Sequence, residues 1–405
     1  MSLLGDSVTV AALTLLLAAD DEPVRLAGLL AAYAMPTAVL AGVAGRLVDR
    51  YDSRALLVGA GVVPVLAATG LAVLADPSPG VASARLVPLL ALVVVLQVGQ
   101  TITAPTWGAL VPRIVGDAAL GRAIGVQASL GAAAGLAGLG LGGLLFDRVG
   151  LRWALTLDAV TFAVLVVAAL AVRTRRTPGR PDAADAPGPA AELVGPGALP
   201  ILRADPVLRW LLPAVLLLIL AAEATNVVES LLVTQVFDGS GTAYGLLGMA
   251  FSGGLILGSA LAGRLASDRT RISASVAAVG ACALAFVAMG AAPALGWLAA
   301  PSVVAGVGFG GLNAATSTVF ALRTPDAARG RVMAAVNGGA RAVSLLAILL
   351  GGVVGQAFGP RAAYVILGVA TLATGPVIAL SRRGLPRPSA AAAGSDQAGS
   401  PPATS

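Results

Sequence analysis

The segment Gly45-Arg46-Leu47-Val48-Asp49-Arg50-Tyr51-Asp52-Ser53-Arg54 is a charged turn between two long apolar runs of the chain. A related segment, Gly263-Arg264-Leu265-Ala266-Ser267-Asp268-Arg269, interrupts the apolar sequence in the second half. Both begin with Gly-Arg-Leu and contain an Asp-Arg pair. A charged turn that recurs between apolar runs predicts a duplicated bundle of membrane helices.

The composition of the chain also indicates a membrane protein. Of its 405 residues, 57% are hydrophobic and only 11% are charged, whereas soluble domains have about 25% charged residues. A single soluble core stops growing at roughly 250–300 residues and still needs a polar surface. Lipid needs no charged surface, so we expect a lipid bilayer to surround most of the chain.

Twelve apolar runs are long enough to cross a bilayer, which takes about 20 residues per helix. They cover residues 2–19, 26–45, 55–75, 86–109, 123–146, 153–172, 211–233, 244–266, 274–292, 297–321, 332–357 and 362–380. The breaks between them carry charged residues and turn formers such as Pro and Gly. The sequence therefore predicts an all-α membrane protein with twelve transmembrane helices.

A polar segment divides these runs into two sets of six. Residues 173–206 are rich in Pro, Ala, Gly and Asp and are typical of a cytoplasmic linker, and residues 384–405 are typical of a disordered tail. The pattern D-A-A-x-G-R occurs at 117–122 and again at 326–331. Equivalent motifs in equivalent turns predict two six-helix pseudo-repeat bundles, 1–172 and 207–383.

The basic residues, all of them arginine, predict the orientation. Cytoplasmic loops of membrane proteins carry an excess of Lys and Arg. With a cytoplasmic N-terminus, twenty arginines fall on the cytoplasmic side and Arg341 lies within a run. The five on the other side are Arg25, Arg85, Arg148, Arg152 and Arg361. We therefore expect a multi-pass protein of the cell inner (plasma) membrane with both termini in the cytoplasm.

The first apolar run begins at the start of the sequence, with no basic residue before it. A signal peptide would need a positively charged start, and its removal would leave eleven runs. We therefore expect this run to remain as the first span, and a start codon further upstream would explain why it is short.

The charged turn resembles the loop motif of the major facilitator superfamily, G-x-x-x-D-R-x-G-R-R/K, which lies between the second and third helices of that family. Gly45, Asp49, Arg50 and Arg54 match the motif, and Asp268 with Arg269 repeats its Asp-Arg pair in the second half. Asp52 replaces the usual Gly. The form G-x-x-x-D-R-[FY]-D-x-R is similar to the drug-efflux branch that includes siderophore and macrolide exporters. The resemblance implies a secondary transporter in which this turn is a gating loop, with Asp49 pairing with Arg or capping a helix.

The fifth run resembles a second motif of this family, the antiporter motif G-x8-G-x3-G-P-x2-G-G. Gly125, Gly138, Gly142 and Gly143 match it, whereas Ala134 and Leu139 replace a Gly and the Pro. The resemblance implies export in exchange for protons. Close helix packing through small residues is the alternative interpretation of the same glycines.

Polar side chains inside the apolar runs are the candidate functional residues, because a charge there costs about 2.5–3.5 kcal/mol on insertion scales. In the resembled family the first, fourth, seventh and tenth helices line the substrate cavity. We place five polar residues in this cavity: Gln97, Gln100, Asn226, Asn313 and Arg341.

Three carboxylates are candidates for proton coupling: Glu223, Asp6 and Glu229. An ionised carboxylate removed from water is costly, so such a group can exchange a proton instead. Glu223 is the first choice because it falls in the middle of the seventh run, whereas Glu229 is nearer the outer mouth. A permanent bridge between Glu223 and Arg341 is the alternative. We interpret Asp158, in the sixth run, as structural.

The residue types exclude most other functions. The chain has no His, a single cysteine (Cys282) and no sequence cluster of metal ligands. We therefore expect no enzyme activity, no metal and no cofactor, and the scattered arginines predict no nucleic-acid partner. The predicted function is proton-coupled efflux of amphipathic small molecules by a monomer in the bilayer. Uptake of a small polar solute with protons, export that protons do not drive, and a receptor or scaffold that transports nothing are the alternatives.

The orientation can be tested with one cysteine in the Cys282→Ser background. Asp185→Cys lies in the predicted linker, so it should react with a membrane-impermeant thiol reagent in inverted vesicles and stay unlabelled in intact cells. Labelling in intact cells would place the linker outside and contradict the orientation.

Overall fold

The fold is given by a computed structural model that describes residues 2–18, 23–74, 85–115, 117–171 and 198–382. Within these residues every regular element is a helix, which confirms the predicted all-α class. The predicted tail (384–405) and the linker up to residue 197 lie outside the described residues. The end of the linker, 198–206, contains a short helix.

The described helices follow one another along the chain in the order of the predicted runs. The first half forms α1 (Ser2–Ala18), α2 (Pro23–Arg50), α3 (Ser53–Leu74), α4 (Leu86–Val115), α5 (Asp117–Arg148) and α6 (Leu151–Ala171). The second half forms α7 (Ala198–Ala204), α8 (Leu208–Leu231) with a π-helical turn (Leu232–Val236), α9 (Gly241–Ala262), α10 (Asp268–Gly290), a 3-10 turn (Leu295–Leu298), α11 (Ala299–Arg323) and α12 (Asp326–Ser381).

Gly359 interrupts the long helix α12. Its φ of 76° and ψ of 161° are non-helical, and glycine adopts positive φ without steric cost. Pro360 then begins the next helical segment, where the fixed φ of proline suits the first position. The predicted eleventh and twelfth runs, 332–357 and 362–380, lie on either side of this break.

The helices have the length and surface of membrane spans. Eight helices of the described residues are long and apolar enough to cross a membrane, and two shorter apolar helices accompany them. Large apolar side chains remain exposed, among them Val87 (77%), Leu284 (70%) and Leu66 (67%). Lipid tolerates such a surface, whereas water does not. The chain is a multi-pass membrane protein.

The two ends of the molecule differ in their turns. We call the end with turns 51–52, 263–267 and 324–325 the Arg-rich end, because arginines flank these turns. We call the opposite end, with turns 149–150 and 237–240 and the break at Gly359, the Arg-poor end.

Asp52, which stands where the gating-loop motif usually has Gly, caps the start of α3 with its side chain. Asp52 Oδ1 accepts hydrogen bonds from the backbone N–H groups of Arg54 and Ala55, both at 3.0 Å, at the start of α3. These are among the N–H groups that a helix leaves without an internal partner. A glycine at this position has no side chain to satisfy them, so Asp52 stabilises the start of α3.

The two halves contact each other through α5 and α9 near the Arg-poor end. A Cβ atom on Gly143 would collide with the backbone carbonyl of Gly241, and a Cβ atom on Gly245 would lie 2.7 Å from Leu139 O. The backbones of the two helices therefore touch directly, which only small residues permit.

Asp147, at the end of α5, closes this contact. Its Oδ1 accepts a hydrogen bond from Gly241 N at 3.0 Å, and its Oδ2 accepts from Thr242 N at 2.7 Å and from Thr242 Oγ1 at 2.6 Å. A carboxylate at the first N–H groups of a helix satisfies them and interacts favourably with the helix dipole. Here the carboxylate of the first half caps α9 in the second half.

Apolar packing closes the same end. The buried core of the first half, which contains Phe162, extends to Val227, Leu231 and Ile348 of the second half. A second contact between the halves is made by α2 and α12, where Arg341 Nη1 donates to the Thr37 carbonyl at 3.5 Å. The halves are thus closed at the Arg-poor end by α5 and α9.

Removing the cap should open the Arg-poor end more often. A helix cap contributes about 0.5–2 kcal/mol, so Asp147→Ala should raise the labelling rate of Asn226→Cys from the Arg-poor side roughly fivefold. The measurement uses an impermeant thiol reagent in the Cys282→Ser background. Asp238→Asn, which changes an exposed carboxylate of the neighbouring turn, is the control. Equal rates in Asp147→Ala and its parent would show that the cap does not hold this end closed.

Candidate functional site

A cavity with two adjoining compartments lies between the halves. The wide compartment, of about 860 Å³, is lined by residues of α1, α2, α4, α5, α9 and α12 and extends from mid-height towards the Arg-rich end. The aromatic compartment, of about 440 Å³, is lined by residues of α1, α2, α5, α8, α9, α10, α11 and α12 and lies towards the Arg-poor end. The two share Val10, Tyr33, Leu139 and Ser252.

The wide compartment brings together four of the predicted site residues. Asp6, Gln97, Gln100 and Arg341 line it. Gln100 Nε2 donates a hydrogen bond to Asp6 Oδ2. Asp6 is only 7% exposed, yet its Oδ1 has no partner, and neither has Gln97 Nε2. The compartment therefore contains buried polar atoms that a bound proton or ligand could satisfy.

Asp158, interpreted from the sequence as structural, lies beside Asp6. It is fully buried in α6 and accepts a hydrogen bond from Thr9 Oγ1 at 2.7 Å. A Cβ atom on Gly5 would collide with the Asp158 carboxylate, so α1 approaches α6 closely at this point. The two carboxylates interact electrostatically. Gly5 and Thr9, one helical turn apart, are the sequence signal that α1 has a small, polar face for this contact.

Glu223 and Arg341 do not form the bridge considered from the sequence. Arg341 lines the wide compartment and donates from Nη1 to the Thr37 carbonyl at 3.5 Å. Glu223 lines the aromatic compartment, and its Oε2 accepts a hydrogen bond from Asn226 Nδ2 at 2.8 Å. The two residues are on different helices and in different compartments, so each is free to face the cavity.

Glu229 lies in the aromatic compartment together with Glu223 and Asn226. The sequence placed Glu229 near an outer mouth, but this end of the cavity is closed by the contact between α5 and α9. Within the described part of the chain, Glu229 accepts no hydrogen bond. Its carboxylate is therefore available to a ligand.

Asn313 is not brought to this cavity. It lines a separate small cavity of about 120 Å³ among α8, α11 and α12, and its Oδ1 accepts a hydrogen bond from Ser317 at 3.3 Å. Phe309, one turn earlier in α11, lines both this small cavity and the aromatic compartment. The extra turn carries Asn313 towards the Arg-rich end, away from the central cavity.

The predicted gating residues of the second half form a charge cluster within that half. Arg323 Nε contacts Asp268 Oδ2 at 2.9 Å, and Arg323 Nη1 contacts Asp205 Oδ2 at 3.0 Å. Arg271 contacts Asp268 Oδ1 at 3.3 Å. Arg269 is exposed and outside the cluster. These contacts join α10 and α11 to the segment that begins α8, all within the second half.

The gating residues of the first half are described only in part. Arg50 is exposed at the end of α2, and Arg54 is half-buried in the first turn of α3. The surroundings of Gly45 and the side chain of Asp49 lie outside the described residues. The gating role of this loop stays a prediction.

The glycines of α5 pack against two different helices. Gly138 and Gly142 face α1: a Cβ atom on Gly138 would lie 2.9 Å from Leu4 O, and one on Gly142 would lie 2.8 Å from Ala11 Cβ. Gly143 faces α9, as described above. The helix that Gly125 faces cannot be assigned, because its surroundings lie outside the described residues. Close packing thus accounts for three of the four motif glycines.

The chain matches the family model described as Major Facilitator Superfamily twice, over residues 1–236 and 211–404. No curated protein sequence matches the chain.

Solved structures with the same fold include transporters of low sequence identity. The nucleoside transporter NupG is 12% identical, with a TM-score of 0.70, and the match covers 94% of this chain and 96% of that one. A bacterial homologue of the iron transporter ferroportin, in an inward-facing state, is 16% identical with a TM-score of 0.63 and coverages of 94% and 97%. A bacterial homologue of the human lysosomal transporter Spinster, inward-facing and unoccupied, is 13% identical with a TM-score of 0.68 and coverages of 95% and 94%.

Two matches that together span the chain, an all-helical membrane fold and a central cavity between two halves agree with one another. The chain belongs to the Major Facilitator Superfamily of membrane transporters.

Proposed function

We propose that this protein exports amphipathic small molecules in exchange for protons, by alternating access between two six-helix bundles of the inner membrane. The observation that carries the proposal is the central cavity: its walls are mainly apolar, and carboxylates of both halves face it. The proposal includes twelve spans, cytoplasmic termini and membership of the drug-efflux branch.

The closed Arg-poor end, together with a wide compartment that extends towards the Arg-rich end, supports alternating access. If the Arg-rich end is cytoplasmic, the described state admits substrate from the cytoplasm. Release on the other side then requires Asp147 to leave the start of α9 and the glycine contact between α5 and α9 to separate. Two states related by such a rocking motion can expose one cavity to each side in turn.

The surroundings of Asp6 favour uptake of a coupling proton more than those of Glu223, which was the first choice from the sequence. Asp6 is almost fully buried with one oxygen unpartnered, whereas Glu223 is half-buried and bonded to Asn226. Asp158 adds a second buried carboxylate next to Asp6. Two carboxylates that interact away from water are stabilised when one of them is protonated. We therefore place the coupling proton on Asp6, with Asp158 as the neighbouring buried carboxylate.

Flux in proteoliposomes with an imposed pH gradient tests this proposal. The wild type should accumulate at least one dye from a set of cationic, neutral and anionic amphipathic dyes, moving it against the proton flow. Asp6→Asn should lose this gradient-driven accumulation entirely, because no proton can be taken up or released at residue 6. Exchange of dye without a gradient should persist.

Asp238→Asn is the matched control, since it removes an exposed carboxylate outside the cavity, and it should transport as the wild type does. If Glu223→Gln shows the predicted loss and Asp6→Asn does not, the proton site is in α8. Movement of substrate together with protons would instead support the uptake alternative, and the absence of any flux would refute transport of these molecules.

A further inference from the structure

The aromatic compartment is lined by half of the tyrosine and phenylalanine residues of a chain that contains few of them. The sequence contains four tyrosines and eight phenylalanines, and six of these twelve residues line this compartment. They are Tyr33, Tyr244, Phe251, Phe286, Phe309 and Tyr364. Phe251 and Phe309 have ring centroids 6.3 Å apart at 43°, and Phe286 and Tyr364 are 6.2 Å apart at 62°. Rings packed at these angles present both edges and faces to the space between them.

The charges of the compartment are all negative within the described residues that line it. Glu223 and Glu229 face it, and no arginine does. Asn226 satisfies one oxygen of Glu223, but Glu229 has no hydrogen-bond partner in the described structure. Glu229 is close enough to Tyr244 and Tyr364 to interact with both electrostatically. An unpaired carboxylate between aromatic rings is the arrangement that attracts a cation.

The hydroxyl of Thr14 independently indicates that the aromatic compartment binds a ligand. It lines the compartment and is only 1% exposed, yet its hydroxyl has no hydrogen-bond partner in the described structure. Other buried threonines, such as Thr101 and Thr316, donate to the carbonyl four residues earlier at 2.7 Å and 2.8 Å. Thr14 does not use this internal acceptor, so its hydroxyl remains available to a polar group inside the compartment.

We propose that the aromatic compartment is the binding site for an amphipathic organic cation, whose charge lies at Glu229 and whose rings pack against Phe251 and its neighbours. The compartment volume of about 440 Å³ falls in the range of roughly 300–1,000 Å³ that suits drug-sized ligands. Arg341 is confined to the wide compartment, so it does not repel the cation at this site. The inference rests on the proposed export function and names its substrate class.

Direct binding to the full-length protein in nanodiscs tests the site without requiring transport. The probe is radiolabelled methyltriphenylphosphonium, which is a cation with three rings. Triphenylphosphine oxide has the same rings without the charge, and tetramethylammonium has the charge without rings. Each competitor should displace the probe at least about tenfold less well than unlabelled methyltriphenylphosphonium does, because the site requires both features. Equal displacement by triphenylphosphine oxide would overturn the proposal.

Variants then locate the site. Glu229→Gln and Phe251→Leu should each weaken binding of the probe at least about tenfold, and Glu229→Asp, which keeps the charge, should recover part of it. Asp238→Asn, the exposed control, should bind as the wild type does. If Glu229→Gln does not fold, binding of the probe to Phe251→Leu decides the test. Wild-type binding by either folded variant would exclude this compartment.

Failure of the site and failure of the export function give different results. If the wild type binds the probe as predicted but no pH gradient drives its flux, the site stands and proton-coupled export fails. If a pH gradient drives flux of a neutral or anionic amphipath and the probe does not bind, the export function stands and the cation site fails.

Discussion

The contact between α5 and α9 is the constraint on which the rest of the arrangement depends. Gly143, Gly241 and Gly245 allow two backbones to touch, and Asp147 fastens the contact by capping a helix of the other half. With this end closed, the wide compartment between the halves extends towards the Arg-rich end. A single cap contributes about 0.5–2 kcal/mol, so the polar part of this closure is weak enough to break in a transport cycle.

The same arrangement separates two sets of carboxylates. Asp6 and Asp158 belong to the first half and are buried beside the wide compartment, whereas Glu223 and Glu229 belong to the second half and face the aromatic compartment. Tyr33 lines both compartments. A proton in one half and a substrate in the other would both act on the interface between the halves. Coupling between them then requires only that each favours a different state of that interface.

The sequence predicted the membrane class and the family because both depend on local patterns. Apolar runs, arginine-bearing turns and the motif around Asp49 are short-range features. The apolar helices and the family match confirm the membrane class and the family. The number of spans stays a prediction. The layout of the cavity depends instead on contacts between residues that are far apart in the sequence, and local patterns do not reveal these contacts. No local pattern indicated the hydrogen bond between Thr9 and Asp158, because the two residues are 149 positions apart. Asn313 lies one helical turn beyond Phe309, which does line the central cavity. The aromatic compartment draws its rings from helices that no local pattern connects.

The distance between the two halves at each end tests the central claim most directly. Spin labels at Arg152→Cys and Trp297→Cys report the Arg-poor end, and labels at Arg50→Cys and Arg264→Cys report the Arg-rich end, each pair in the Cys282→Ser background. All four positions are exposed. Double electron–electron resonance should show a short and a long distance at each end, with the long distance at one end accompanying the short distance at the other as pH or substrate changes. A single, unchanging distance at the Arg-poor end in protein that transports would contradict the account.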